Sequence, residues 1–378
     1  MEERQIFWDE NRLGWLALAW FGSFKSRTLN KLARYFKQGP RALHANLKDL
    51  LYCEASPQTS AKFISWRQNI DPLVFSRRCD AEGVRFVLQN DDEFPISLAK
   101  SNDPPLGLFI RGAPSNLQAP VAVVGTRNMT PYGERAAKTL THNLSLAGCE
   151  IISGLALGID AVAHRTALSN HAITVAVLAG GCNDSSIYPK NNFALAKDIL
   201  NNDGTIISEN PPGTESFKHL FPLRNRIIAS LCRAVLVVEA AEKSGSLITA
   251  KLALEENREV FAVPGPINSE KSAGSNSLLK MGAAPCTSAE DILHLFNLQQ
   301  SHRQLARPEQ GELLILELLD RPLHKNEIVR ALAVSAQSVL PQLSALEMKE
   351  LVQSDGSDFY SRTSLGKQTF ERFCENLC

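Results

Sequence analysis

Short apolar runs recur through the middle of the chain, spaced so that a helix fits between successive runs. They are Val121–Val124, Ile151–Ile152, Thr174–Leu178, Thr205–Ile207, Ala234–Val238 and Glu259–Val263. Each is bounded by turn residues and lacks polar alternation, which predicts strands buried on both faces. The stretches between them carry helical spacing. Strands alternating with helices predict an α/β domain built on a doubly wound, mostly parallel sheet with right-handed crossovers.

The flanks follow other patterns. Residues 1–80 read as a small helical domain. Leu29, Leu32, Ala33 and Phe36 form one amphipathic face, Gly39-Pro40 stops that helix, and Leu43, Leu47, Leu50 and Leu51 continue on a second. Residues 84–112 hold two short strand-like runs around Asp103-Pro104-Pro105, an entry to the central domain at 84–296. The polar stretch 297–309 is a predicted linker. Beyond it, residues 310–378 give three helical patterns, Leu313–Leu319, Lys325–Leu332 and Ser335–Met348. Two strands follow, Leu351–Gln353 and Phe359–Ser361, around Asp355-Gly356, which is a winged-helix plan.

In an open parallel sheet, ligands bind beyond the carboxyl ends of the strands. The loops there share a character: Gly125-Thr126-Arg127, Ser153-Gly154 opening SGLALG, Ala179-Gly180-Gly181, Ser244-Gly245-Ser246 and Val263-Pro264-Gly265. Any one is an ordinary tight turn. Together with Arg127 and the pair Arg224 and Arg226, they point to an anion site. Pro222 suits a first helical turn, which places Arg224 in phase with Ile227, Ile228 and Leu231, facing the sheet. Arg226, about two-thirds of a turn away, is expected to point outward.

Charge and composition narrow the chemistry. Forty basic and forty acidic residues cancel, so nucleic-acid binding needs local patches rather than a global field. Residues 1–77 carry twelve Lys/Arg against seven Asp/Glu, which suits either a phosphate-contacting module or a solvated bundle. Residues 308–378 carry seven against eleven, and the third helical pattern there has neither Lys nor Arg. Without phosphate neutralisation, duplex binding loses its main affinity term, so that region reads as a protein-contact module. Neither GxxxxGK[ST] nor GxGxxG is present, which disfavours a conventional ATPase or dinucleotide enzyme. Asp160 and His164 fall i, i+4 at a predicted helix start, either an acid–base pair or a structural cap. No nucleophile or metal-ligand cluster accompanies them, so neither a catalytic centre nor a cofactor is expected. Eight cysteines without CxxC spacing read as reduced thiols, Cys374 and Cys378 being the closest pair. No signal peptide or membrane-length apolar run is seen, and the expected compartment is the cytoplasm.

Several stretches go further. VAVVGTR (121–127), SGLALGIDAVAH (153–164), FPLRNRII (221–228), LVVEAAEKSGSLITA (236–250) and VFAVPGPINSEKSAGSNSLLKMGA (260–283) resemble the DNA-processing protein A family. Ser230, Cys232 and Asn257 depart from its usual pattern at turn or packing positions. The resemblance implies an extended Rossmann-like domain, flanked by a sterile-alpha-motif or helix-hairpin-helix type module and a winged helix. It also implies a non-catalytic role in natural transformation: binding single-stranded DNA, forming a homodimer and loading a RecA-type recombinase. Carried over, the phosphate contacts would be Arg127 of GTR, Arg224, Asn225 and Arg226 of RNR, and Ser244, Gly245, Ser246 and Thr249 of SGSLIT. Two other readings compete. One is a nucleotide-processing enzyme of phosphoribohydrolase type, whose PGGxGTxxE signature is absent here. The other is an interaction scaffold with little or no DNA binding.

Overall fold

A computed structural model describes residues 8–113, 117–298, 310–349, 351–363, 366, 367 and 370. The chain divides into two compact units, Met1–Gln300 and Ser301–Cys378. Most of the expected linker, along with Cys374 and Cys378, lies outside the described residues.

The first unit opens with six helices: α1 Glu10–Phe21, α2 Ser26–Phe36, α3 Gly39–Leu43, α4 Leu47–Tyr52, α5 Pro57–Arg67 and α6 Pro72–Ala81. The second amphipathic helix expected from Leu43 to Leu51 is in fact two pieces. Asn46 breaks it, its side chain accepting from the Asp49 backbone N–H at 3.0 Å while the Asp49 carboxylate accepts from the Asn46 N–H. That reciprocal cap satisfies donors a continuous helix would have placed mid-ladder. Helices α1 and α3 meet backbone to backbone: a Cβ at Gly14 would lie 2.2 Å from the Gly39 carbonyl carbon. The helical layer shares one core with the sheet, in which Trp15, Leu16 and Phe63 join Phe86, Phe109 and Ile206.

The sheet has nine strands: β1 Arg85–Leu88, β2 Gly107–Gly112, β3 Pro120–Val124, β4 Glu150–Ser153, β5 Thr174–Leu178, β6 Thr205–Ser208, β7 Ala234–Val237, β8 Glu259–Ala262 and β9 Ala284–Pro285. Their order is β1-β2-β6-β5-β4-β3-β7-β8-β9. From β6 to β9 every pairing is parallel, while β2 runs antiparallel to β6 and β1 antiparallel to β2. The two runs flanking Asp103-Pro104-Pro105 therefore extend the sheet, with α7, Ile96–Ala99, between them.

Alternate residues of the central strands feed opposite faces. Val121 and Val123 of β3 pack with α8, Pro131–Leu146, and α9, Ile159–Ser169. Ala122 and Val124 pack with α11, Leu220–Leu231, and α12, Gly245–Glu255. The intervening α10, Phe193–Asn201, joins the core shared with the amino-terminal helices. The chain steps outward from β3 through β4 and β5 to β6, then returns to lay β7 against the other edge of β3. That reversal opens a crevice at the carboxyl ends of β3 and β7, the place such sheets use for ligands. After β8 come α13, Ala273–Lys280, and α14, Glu290–Leu293.

The second unit has helices α15 Gln310–Leu318, α16 Lys325–Leu332 and α17 Ala336–Met348. It also has strands β10 Leu323–His324, β11 Val352–Ser354 and β12 Phe359–Arg362, in the sheet order β10-β12-β11. Strand β10 was not legible in the sequence because it contributes only two residues. Ile315, Leu316, Ile328, Leu343 and Leu346 make a separate core. No described helix is long and apolar enough to cross a membrane.

Candidate nucleic-acid interface

The loop after β3 turns tightly because nothing larger than glycine fits. A Cβ at Gly125 would stand 2.6 Å from Ile159 Cγ1. The Thr126 N–H donates to the Glu239 carbonyl at 2.7 Å, and the Ile159 N–H to the Thr126 carbonyl at 3.2 Å, so this loop is stitched to the ends of β7 and α9. At the start of α8, where the backbone donors and the helix dipole favour an anion, the chain supplies its own. Glu239 is 2% exposed, and its carboxylate accepts from the Thr130 N–H at 2.8 Å and the Thr130 hydroxyl at 2.7 Å. The Thr126 N–H, expected to face a phosphate, is thus given to an internal carbonyl, and the Thr130 donors to an internal carboxylate.

Arg224 points inward, as the helical phase predicts, but it is only 6% exposed. Its Nη1 donates to the Gly154 carbonyl at 2.8 Å and to the Val177 carbonyl, while Nε donates to Asn225 Oδ1 at 3.1 Å. A Cβ at Gly154 would sit 2.3 Å from that guanidinium, which explains glycine there. Burial, partly offset by Asp160 and reinforced by Arg127, holds the Arg224 pKa down at about 10, still charged at neutral pH. Arg224 thus clamps the carboxyl ends of β4 and β5 to α11. Asp160 is the carboxylate whose charge favours the ionised guanidinium.

Arg226 does not point into solvent as its helical phase implied. Its guanidinium meets Glu209 and the Asp103 carbonyl, with Nε 3.4 Å from the Asp103 carboxylate. The 84–112 segment folds over that face of α11, so the outward direction on the helix becomes an inter-element contact.

The other expected positions divide between scaffold and surface. Ser153 donates its hydroxyl to the Val123 carbonyl at 2.7 Å, and Gly180 accepts from Ser208 Oγ at 2.6 Å. Asn225 Nδ2 reaches the Gly245 carbonyl at 3.4 Å, tying the RNR segment to the SGSLIT turn. Ser244 caps α12, with its hydroxyl 2.7 Å from that of Ser246. Thr249 is buried, whereas Gly245 is exposed with open space where a Cβ would stand. Asp160 and His164 do not pair. Asp160 accepts from the Gly154 and Ala156 N–H groups at 3.1 and 3.4 Å, and His164 Nδ1 lies 2.7 Å from the Thr174 hydroxyl. Burial raises the Asp160 pKa, against the pull of Arg224; burial also lowers that of His164 to about 3, with Arg224 adding to it. Both residues are buried and turned to internal partners.

Arg127 is exposed, and its guanidinium lies over the Phe221 ring at 5.0 Å from the centroid. Tyr188 meets Phe221 edge-on at 6.2 Å and is half exposed. A cleft lined by Arg127, Gly154, Leu157, Tyr188 and Phe221 opens here. Nearby in the chain, exposed Phe217 stacks on His219 at 5.9 Å, with exposed Lys218 between them in sequence. Sequence reasoning singled out Arg127 but missed the aromatic residues. Their one visible trace is the density of Phe217, His219 and Phe221 immediately before the RNR helix. Among the described residues no cluster of His, Cys, Asp or Glu is placed to hold a metal ion. Cys53, Cys79, Cys149, Cys182, Cys232 and Cys286 are buried free thiols.

Residues 85–297 match the model of the family described as DNA recombination-mediator protein A. The chain belongs to that family. Protein Smf of Escherichia coli is 45% identical over 215 residues, covering 56% of this chain and 56% of Smf, so the chain spans about half the length of that relative. The structure of DNA processing protein A from Streptococcus pneumoniae superposes with a TM-score of 0.64 at 33% identity, over 76% of this chain and 98% of that one. The Helicobacter pylori DNA processing protein A, solved for its single-stranded DNA binding mode, is 30% identical over 56% of this chain and 94% of that one, with a TM-score of 0.49.

Proposed function

We propose that the carboxyl edge of the sheet binds single-stranded DNA without sequence preference, as part of DNA recombination or transformation. The observation that carries this is the exposed Arg127 guanidinium lying on Phe221, beside half-exposed Tyr188. A cation for phosphate next to ring faces for bases suits a strand whose bases are unstacked and free to dock; a duplex hides those faces. Arg127 makes the phosphate contact. Arg224 and Arg226, both spent on internal partners, position the surface instead of touching the strand. Gly245 and the Ser244–Ser246 turn at the start of α12 offer a second backbone contact for phosphate.

The filling of the α8 anion position by Glu239 supports a binding role over nucleotide processing. The further roles implied by family membership belong to the same reading: homodimerisation, delivery of the strand to a RecA-type recombinase, and action in the cytoplasm. The carboxyl-terminal unit has the helix and strand order of a winged helix. Its α17 carries no Lys or Arg, which supports protein contact over DNA reading.

The deciding experiment is a mobility shift with oligo-dT against duplex at two salt concentrations, with and without Arg127→Ala. The reading requires preference for the single strand, loss of affinity with salt and weaker binding by the variant. Equal binding of both DNA forms by the variant and the parent would overturn it, and turnover of a free nucleotide would restore the enzyme alternative.

A further inference from the structure

The amino-terminal helices hold a feature that the carboxyl edge does not use. Tyr35 at the end of α2 and Tyr52 at the end of α4 are 52% and 72% exposed, yet their rings lie 5.3 Å apart, tilted by 50°. Leu47 and Leu51 of α4 are exposed as well, at 47% and 41%. Tyr35 also meets Phe36 edge-on at 4.9 Å, yet both tyrosine rings remain half or more open to water.

The charge around them is one-sided. Residues 25–54 contain Lys25, Arg27, Lys31, Arg34, Lys37, Arg41 and Lys48 against only Asp49 and Glu54, in a chain whose total charge is zero. Both acids are engaged. Glu54 pairs with Arg27 at 3.0 Å and with Lys31, and Asp49 closes the Asn46 cap. Arg34, Lys37, Arg41 and Lys48 are exposed and make no ion pair among the described residues. Helical spacing puts Lys31 one turn before Tyr35 and Lys48 one turn before Tyr52, so cation and ring share a face on each helix.

We infer that Tyr35 and Tyr52, with Arg34, Lys37 and Lys48, form a second contact for single-stranded DNA, separate from the carboxyl edge. The choice of ligand rests on the single-strand reading above; the geometry does not. Charge, ring exposure and symmetry fix the occupant. A polyanion neutralises the unpaired cations, and their counterions are released when it binds. Exposed rings stack on bases of any sequence, which a duplex keeps inside its own stack. A second copy of this chain docking about a two-fold axis would set the same cationic patch against itself, which like-charge repulsion opposes. The consequence is a strand held at two places on one chain, so that affinity grows with oligonucleotide length beyond what the carboxyl edge alone can hold.

The test uses the full chain, oligo-dT of about six and about thirty nucleotides, and the double variant Tyr35→Ala/Tyr52→Ala. Both tyrosines are exposed, so an unchanged thermal midpoint is expected. The long oligonucleotide should bind about tenfold more weakly to this variant, with the short one unaffected. Tyr35→Trp/Tyr52→Trp should bind like the parent. Irradiation of a 5-iodouracil-substituted long oligonucleotide should cross-link to a peptide containing Tyr35 or Tyr52.

Unchanged affinity for the long strand, or cross-links confined to the carboxyl edge, overturns the inference. It leaves the proposed function standing if Arg127→Ala still weakens both lengths. Loss of self-association with DNA affinity intact assigns the patch to a second copy and also overturns it. If Arg127→Ala changes nothing while the tyrosine variant abolishes long-strand binding, the carboxyl-edge reading fails and this one holds.

Discussion

Glu239 grips Thr130 twice, its carboxylate accepting from the backbone N–H at 2.8 Å and from the hydroxyl at 2.7 Å. A side chain at the end of β7 thereby does for α8 what a bound phosphate does in many α/β proteins. Glu239→Ala should lower unfolding stability by about 1–3 kcal/mol, since two part-buried donors lose their acceptor. Gly133→Ala should give a loss of the same kind, because its new Cβ would stand 2.4 Å from Glu239 Oε2. Denaturant midpoints check both.

Arg127 and Arg224 should separate cleanly when each is changed to alanine. Arg127→Ala should weaken single-strand binding about five- to tenfold, reduce the salt dependence and leave the melting temperature alone. Arg224→Ala strands a buried Asp160 carboxylate and frees two carbonyls, so a loss of about 3–5 kcal/mol in stability is expected. Arg224→Lys should not rescue it, since one ammonium lacks the planar fork that serves Gly154, Val177 and Asn225 together. Thermal melts alongside binding titrations distinguish the two classes.

Phe221→Ala should weaken binding to poly-dT and mixed sequences alike, by about tenfold, whereas Phe221→Trp should retain it. A sequence-dependent loss would show that the ring reads bases instead of stacking on them.

His164 gives a stability signature in acid. Its folded pKa of about 3 lies below the ordinary 6.5. The unfolded chain therefore binds the extra proton first, and stability falls as pH drops from about 6.5 toward 3. Between pH 7 and pH 5 this one group should remove about 2 kcal/mol. His164→Asn, which keeps a polar partner for Thr174, should flatten that part of the pH profile. Urea midpoints at the two pH values supply the measurement.

The parallel strands were legible because burial on both faces leaves an unbroken apolar run. Thr174–Leu178 was read to the residue, and the other runs differ from the observed strands by a residue at one or both ends. The inward turn of Arg224 was legible for a similar reason, helical phase being a local property. What lay hidden depends on distant partners. Arg226 is turned to Glu209 and Asp103, the latter 123 positions away, and Thr130 is held by Glu239, 109 positions away. No window on the sequence contains both members of either pair. The break at Asn46 was visible in principle, since Asn followed three residues later by Asp is a capping pattern. The continuous leucine spacing across it masked the signal.

The Arg224 guanidinium, held by carbonyls at the ends of β4 and β5, leaves α11, and with it Phe221, already in place before any strand arrives. Docking at that ring should then proceed with little ordering of the protein. Calorimetry should register a small heat-capacity change, and association should be as fast as electrostatic attraction permits.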